Sequence, residues 1–378
     1  MKKMCVASQA GKILLILTGF LLHVTLTDVR SAEQPSQAIS EIDRLLSACR
    51  ISGPIDFCGE PVPVHLPDVR ERLEKELLLM LADSAQVILW LKRFNRYRPV
   101  IETHLKEAGL PDDLKYIPVV ESALLPLAGS PKGAMGHWQF ITDTGQRYGL
   151  TISPDIDERR NLTASTRSAL RYLQFLYQEF ESWTLAAAAY NMGEDGLKTE
   201  IFFQNSRDFY DLHLFQETQR YVLRIVAVKL ILGNPQNYGY RLLPSDYYLP
   251  EQTVQVTIDL KRPTPVLILA QAAQTSFKTI RDLNSEIRGY VLPDGVRQIT
   301  IPAASADGFN SRLQTLMTKL VSEQNSSVYI VQKGDNLTRI SEQLGIPVRA
   351  LMTLNRMNGK SVLRPGDKLF ISPMALAE

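Results

Sequence analysis

The chain has few cysteines, little net charge and no apolar run of the length a bilayer demands. With three cysteines in 378 residues, and no His or Cys partners at matching spacing, a metal site finds no support, and no cofactor is implied. A formal net charge of +2 without a long basic run offers nucleic acid nothing to bind. The longest apolar stretch, from Ile13 to Leu26, is about fourteen residues, against the roughly twenty that span a hydrocarbon core. Lys2, Lys3 and Lys12 precede it and Val29-Arg30-Ser31-Ala32 follows, the layout of a secretory signal peptide over residues 1–31. Arg30 is imperfect at such a cleavage site, so an uncleaved N-terminal anchor stays open. A lipid-acceptor cysteine would have to follow the apolar core directly. Cys5 precedes that core, and Leu46-Ser47-Ala48-Cys49 stands apart behind a polar, charged stretch, so no lipid attachment is read. An exported chain meets an oxidising compartment, and Gly53-Pro54 between Cys49 and Cys58 supplies a turn that would bring the two together. A Cys49–Cys58 disulfide is therefore expected within an N-terminal segment, residues 32–66.

What the chain does have is helical periodicity. Leu73, Leu77, Met80, Leu81, Ile88, Leu91 and Phe94 recur at three- and four-residue steps, which predicts helix from residue 67 to about 108 with Asp68 as a cap. Gly109-Leu110-Pro111-Asp112-Asp113 closes it and starts another over 116–122, where Pro118 is tolerated only in the first turns. Further helices are predicted over 157–180, 183–191 and 217–232. Ala186 to Ala189 allow close helix approach, which places their helix at the centre. The region 67–235 is mainly α. Asn, Gly, Tyr and Pro dominate from there to Gln252, which reads as a linker over 236–252.

One stretch, from Tyr116 to Leu150, organises the rest. An apolar run from Ile117 to Val120 delivers Glu121, and Ala123 and Leu124 follow. A carboxyl in those surroundings is partly desolvated and kept protonated near neutrality, as a general acid requires. An isolated Glu-Ser pair is as readily a surface helix followed by a glycine-rich loop, so the weight falls on the ordered set of motifs. Glu121-Ser122 is followed by Ser130-x-x-Gly133-Ala134-x-Gly136-x-Trp138-Gln139-Phe140, then by Thr144-Gly145-x-x-Tyr148-Gly149-Leu150. Asp157-Glu158-Arg159-Arg160-Asn161, Ala189-Tyr190-Asn191-Met192-Gly193 and Glu217-Thr218-x-x-Tyr221-Val222 come in order after that. Over roughly residues 60–235 this resembles the lytic murein transglycosylases, most of all their D branch. His137 stands where that family usually has Leu and Met192 where it usually has Ala. Both changes bear on the shape of the cleft, not on the chemistry.

The resemblance implies a mainly α, lysozyme-like (SLT) catalytic domain over 67–235. It also implies, as substrate, the glycan strand of peptidoglycan, cut between N-acetylmuramic acid and N-acetylglucosamine. Glu121 would protonate the leaving oxygen and then, as carboxylate, take the proton of the muramoyl C6 hydroxyl, closing a 1,6-anhydro ring without water. Ser122 and Ser130 are assigned to Glu121 or the sugar, and Gln139 to an N-acetyl group. Trp138, Phe140, Tyr190, Asn191 and Tyr221 are assigned to the cleft wall. A location in the periplasm or envelope of a Gram-negative-type bacterium follows. Two rivals stay open. A lysozyme-like hydrolase needs a second carboxylate, for which Asp143, Asp157 and Glu194 are candidates, because ordinary glycosidases use two. A glycan-binding scaffold with a dead cleft needs only the C-terminal part.

That part is an internal repeat. Residues 269–302 align without gaps on 340–373, which sets Leu283-Asn284 on Leu354-Asn355 and Gly295 on Gly366. The second copy, 327–373, resembles a LysM domain, a small α+β (βααβ) module that binds peptidoglycan or chitin and would attach the enzyme to the cell envelope. Gly334-Asp335-Asn336-Leu337 and the loop from Asn355 to Gly366 are expected to form its groove. The first copy, 253–303, has Pro263-Thr264 in place of the Gly-Asp turn and resembles a degenerate LysM. Residues 304–326 read as a spacer.

Overall fold

A computed structural model describes residues 41–51, 53–323 and 328–372; the segment read as a signal peptide or anchor lies outside them. The predicted helix over 67–108 forms as two, α2 (Pro67–Ala82) and α3 (Ser84–Ala108), after a short α1 (Glu41–Ala48). The break is at Asp83, whose carboxylate caps α3 by accepting from the Gln86 amide, an orphan donor of the first turn. Next come α4 (Ile117–Ser122), α5 (Thr142–Arg147), α6 (Leu162–Phe180), α7 (Trp183–Met192), α8 (Glu194–Gln204) and α9 (Gln216–Gly233). The predicted start at Asp157 is five residues early: Asn161 caps the helix, which begins at Leu162, and residues 158–160 form a 3-10 turn. Ala186 to Ala189 are fully buried, and α7 packs against α6, α8 and α9, the central position expected of a helix with so little side chain. Glu60 anchors its start, accepting from the Thr184 amide at 2.9 Å and the Ser182 hydroxyl at 2.9 Å. That places a carboxylate at the positive end of the helix.

The expected Cys49–Cys58 disulfide is not formed; both thiols are free. Cys58 and Gly59 are the two turn residues of the hairpin β1 (Ile55–Phe57)–β2 (Glu60–Val62), with φ of 55° and 83°, the left-handed pair that a tight hairpin needs. This sets Cys58 near Asp113, to whose carboxylate its amide donates at 2.7 Å, and within the field of Glu60, while Cys49, at the end of α1, feels Glu74. Burial, and then those carboxylates, push both thiols above their ordinary range.

Residues 236–252 are not a free linker. Asn95 and Arg96 on α3 donate to the carbonyls of Tyr248 and Leu249 at 3.1 and 3.2 Å, which straps the segment along that helix.

Both repeats are βααβ. In the first, β3 (Thr253–Leu260) pairs antiparallel with β6 (Gly295–Pro302) around α10 (Val266–Ala272) and α11 (Phe277–Leu283), with a small inner pair, β4 (Thr264–Pro265) and β5 (Val291–Leu292). After α12 (Phe309–Glu323), the second copy pairs β7 (Val328–Ile330) with β8 (Lys368–Phe370) around α13 (Leu337–Leu344) and α14 (Val348–Leu354). The stretch read as a spacer is largely α12 (Phe309–Glu323), whose Phe309 and Leu313 complete the core of the first repeat. The amphipathic patch at Leu313–Leu320 within that polar stretch belongs to this helix.

Candidate active site

Local sequence sets where Glu121 stands. Pro118 sits in the first turn of α4, as expected, and the helix ends after six residues because Ala123 and Leu124 adopt φ of 51° and 59°. Each left-handed non-glycine residue costs about 1–2 kcal/mol. Arg93 of α3 holds the turn by donating to the Ala123 carbonyl at 3.2 Å. Glu121 is thereby left in the last turn of a helix whose other residues are mostly in the core.

The Glu121 side chain faces a cleft of about 790 Å³ between α4, the 130–141 loop, α7, α8 and α9. Tyr221 of α9 donates its hydroxyl to Glu121 Oε1 at 2.5 Å. Burial pushes the Glu121 carboxyl up to about 7, against the pull of that hydrogen bond and of Arg224 and with a further push from Glu217. Burial, and then the charge of Glu121, raise the Tyr190 and Tyr221 phenols well above their ordinary value, so both stay hydrogen-bond donors. The group that titrates near neutrality is the carboxyl.

Comparison with known proteins gives a match to the Transglycosylase SLT domain over residues 98–212 and to the LysM domain over residues 329–372. The membrane-bound lytic murein transglycosylase D of Escherichia coli K12 is 32% identical over 336 residues, covering 85% of this chain and 73% of that protein. Its counterpart in Escherichia coli O6:H1 gives the same figures. Among solved structures, the 70 kDa soluble lytic transglycosylase of Escherichia coli aligns at 22% identity and a TM-score of 0.33, over 40% of this chain and 26% of that one. The chain belongs to the membrane-bound lytic murein transglycosylase D family. It is a peptidoglycan lytic transglycosylase with an SLT domain and a LysM module.

Within the transglycosylase, the cleft brings together Glu121, Ser130, Gln139, Phe140, Tyr190, Asn191 and Tyr221. Gln139 has φ of 50°, and its Nε2 donates to the carbonyls of Ala128 and Gly136 at 3.0 and 2.9 Å. Its amide plane is thus fixed and its carbonyl oxygen turned to other use. Ser130 is spent on its own turn, accepting from the Ala134 amide at 3.1 Å. Tyr190 donates to the Trp138 carbonyl at 2.7 Å, and Asn191 accepts from Thr218 at 2.9 Å.

Two expected residues lie elsewhere. Trp138 is fully buried and donates to Thr166 at 2.9 Å, so it anchors the loop to α6 and does not line the cleft. Ser122 is also buried; its hydroxyl lies 2.8 Å from the His137 carbonyl and 3.0 Å from that of Pro118. It pins α4 to the loop and makes no contact with Glu121. His137, the departure from the family pattern, is buried at 2% exposure with Nδ1 unpartnered, and burial pushes its pKa down to about 3. Met192, the other departure, lines the cleft.

Sequence reasoning missed Glu217 and Arg224 as neighbours of the acid. They ion-pair at 2.9 Å, and Arg224 also reaches the buried Glu76 at 3.3 Å. The signal was present, because 217, 221 and 224 share one face of a helix. Of the carboxylates that a hydrolase would require, Asp143 is exposed and absent from the cleft lining, and Asp157 is buried against Arg159 and Arg160. Glu194 does line the cleft. Burial pushes it up, but hydrogen bonds from Tyr172 and Arg147, at 2.7 and 2.6 Å, hold its carboxyl below the usual range.

In the LysM module, several of the residues expected to form the groove also hold the turn, and Asn355 with Arg356, Ser361 and Val362 lines a surface pocket. Asp335 accepts from the Gln332 amide and the Tyr329 hydroxyl at 2.7 and 2.8 Å, and Asn336 caps α13. Leu337 packs on the module's core, and Gly334 and Gly366 have φ of 91° and 94°. Asn355 donates to the Leu351 and Phe370 carbonyls and accepts from the Phe370 amide at 2.7 Å. Asn284 makes the equivalent set in the first repeat, to Ile280 and Thr300, so this asparagine is a shared structural peg.

Proposed function

We propose that Glu121 alone performs both proton transfers of the transglycosylase reaction on peptidoglycan glycan strands. The observation that carries this is the buried carboxyl raised to about 7 and held on one oxygen by Tyr221. With Oε1 occupied, Oε2 carries the proton toward the glycosidic oxygen. The bond from the muramoyl C1 to the leaving oxygen breaks as that oxygen takes the proton. Carboxylate Glu121, now supported by Tyr221 and Arg224, removes the proton of the C6 hydroxyl as O6 bonds to C1. The acid is regenerated and no water is consumed. A pKa near the operating pH suits a group that must give and then take a proton.

A hydrolase would need a second carboxylate free to activate water, and Glu217, the cleft carboxylate whose charge acts on Glu121, is engaged by Arg224 at 2.9 Å. Glu194 is committed to Arg147 and Tyr172, and its charge is not among those acting on Glu121. Gln139, with its amide fixed by two carbonyls, is assigned to accept from an N-acetyl group. Phe140 and Tyr190, edge to face at 6.3 Å, give the sugar an apolar wall.

We further assign the enzyme to the periplasmic side of the cell envelope, because of the apolar N-terminal run and the substrate. The LysM module raises the local glycan concentration at the cleft without altering the chemical step. The test is product analysis in heavy-oxygen water. Intramolecular ring closure leaves every new muramoyl end anhydro and unlabelled; label at C1 establishes hydrolysis and removes the single-acid mechanism.

A further inference from the structure

The first repeat is matched by neither the SLT nor the LysM family, and its loop is placed differently from that of its copy. By the gapless alignment, residues 285–288 correspond to 356–359 in the LysM module, where Arg356, Asn358 and Gly359 are exposed. In the first repeat Glu286 and Ile287 are buried, at 7% and 1% exposure. What covers them is the catalytic domain. Ile156 and Ile287 form an antiparallel β-bridge, with the Asp157 amide donating to the Glu286 carbonyl and the Arg288 amide to the Asp155 carbonyl, both at 2.8 Å. The Ser285 hydroxyl donates to the Arg160 carbonyl at 3.0 Å. Ile156, a residue of the catalytic domain, has its side chain in the hydrophobic core of the repeat. The edge that the copy leaves open is closed here by strand-like pairing.

The other side of the same catalytic loop supports the cleft. Arg159 is held by Asp157 at 2.8 Å and donates to the carbonyls of Gly133 and Phe140 at 2.9 and 3.2 Å. Gly136 packs so closely on this loop that a Cβ there would lie 1.8 Å from the Arg159 carbonyl oxygen. The segment carrying Gln139 and Phe140 therefore rests on residues 155–161, and these rest on the repeat.

We propose that the first repeat is an intramolecular brace, and that Ile156, through the Arg159 loop, is a positioning residue for the cleft floor opposite Glu121. The repeat is thus a working part of the catalytic unit, with the edge that its copy leaves exposed turned inward. This rests on the assignment of the cleft to Glu121. Displacement of reacting groups by about 1 Å costs on the order of a hundredfold in rate, so loss of the brace acts on turnover more than on binding.

The test uses the full chain on soluble glycan strands. Ile156→Asp forces a charge into the core of the repeat without touching the cleft. Expected are a fall in kcat of about tenfold or more with KM within about twofold, faster amide hydrogen exchange over residues 133–140, and sacculus binding retained through the LysM module. Ile156→Val restores turnover. A folded Ile156→Asp protein with wild-type kcat overturns the proposal, and so does a fall in kcat with unchanged exchange over 133–140. Should Ile156→Asp not fold, Ser285→Trp, which wedges the half-buried rim of the seam, is judged by the same outcomes. An error in the Glu121 assignment shows separately, as activity surviving in Glu121→Gln, whatever the Ile156 variants do.

Discussion

The Tyr221–Glu121 hydrogen bond sets where the enzyme loses activity on the basic side. Tyr221→Phe removes the hydroxyl 2.5 Å from Glu121 Oε1 and leaves the ring, at 2% exposure, to fill the same space. A hydrogen bond to a charged group contributes about 1.5–3 kcal/mol. At about 1.4 kcal/mol per pKa unit, its loss raises the acid's pKa by roughly one to two units. The bond favours the ionised form, so the shift is upward, from about 7. The proton now stays on to higher pH, and the basic limb of kcat/KM moves with it, because that profile reports the free enzyme. Turnover at the optimum falls as well, since the carboxylate that must form mid-reaction has lost a donor. The assay is release of anhydro-muropeptides from soluble glycan, followed across pH for wild type and variant. A basic limb that does not move refutes the reasoning and reduces Tyr221 to a piece of wall.

Stability carries its own pH signature. Burial raises Glu286 from 4.5 to about 7, so the folded state holds its proton longer than the unfolded state does. Stability is complete below about pH 4.5 and is lost as pH rises through 7, by about 3 kcal/mol from this group; Glu286→Gln should raise Tm at pH 8 and leave it nearly unchanged at pH 4, and equal shifts at both would contradict the burial argument. Deleting residues 326–378 should leave cleavage of small soluble glycans intact while weakening retention on whole sacculi, because every cleft residue precedes Pro235; unchanged sacculus pull-down would remove the tethering role.

Much of this was legible because periodicity is a local property. The helices and the centrality of α7 follow from Leu spacing and an alanine run, and the protonated state of Glu121 follows from the apolar residues around it. The errors fell where a distant partner decides. Trp138 sits in a motif that builds the cleft, but an aromatic beside a cleft and one beneath its floor look alike in sequence; Thr166, 28 residues on, makes it an anchor. Ser122 follows the acid directly, yet a helix turns successive side chains by about 100°, which points it to the opposite environment. Cys49 and Cys58 are close in the chain, but Cys58 is a turn residue of a two-residue hairpin whose amide is tied to Asp113. The stretch 304–326 read as a spacer because only its packing against α10 of the first repeat shows that its amphipathic patch completes a core.

The most direct measurement is turnover of Glu121→Gln. Glutamine keeps the shape and can still accept from Tyr221, but has no proton to give and take at neutral pH. General acid–base catalysis by one positioned group contributes about 10²–10⁴-fold, and Glu121 serves in both halves of the reaction. The expected result is a folded protein that binds glycan strands and releases anhydro-muropeptides at least about a thousandfold more slowly. Anhydro-muropeptide release at a rate near that of wild type would show that another residue is the acid.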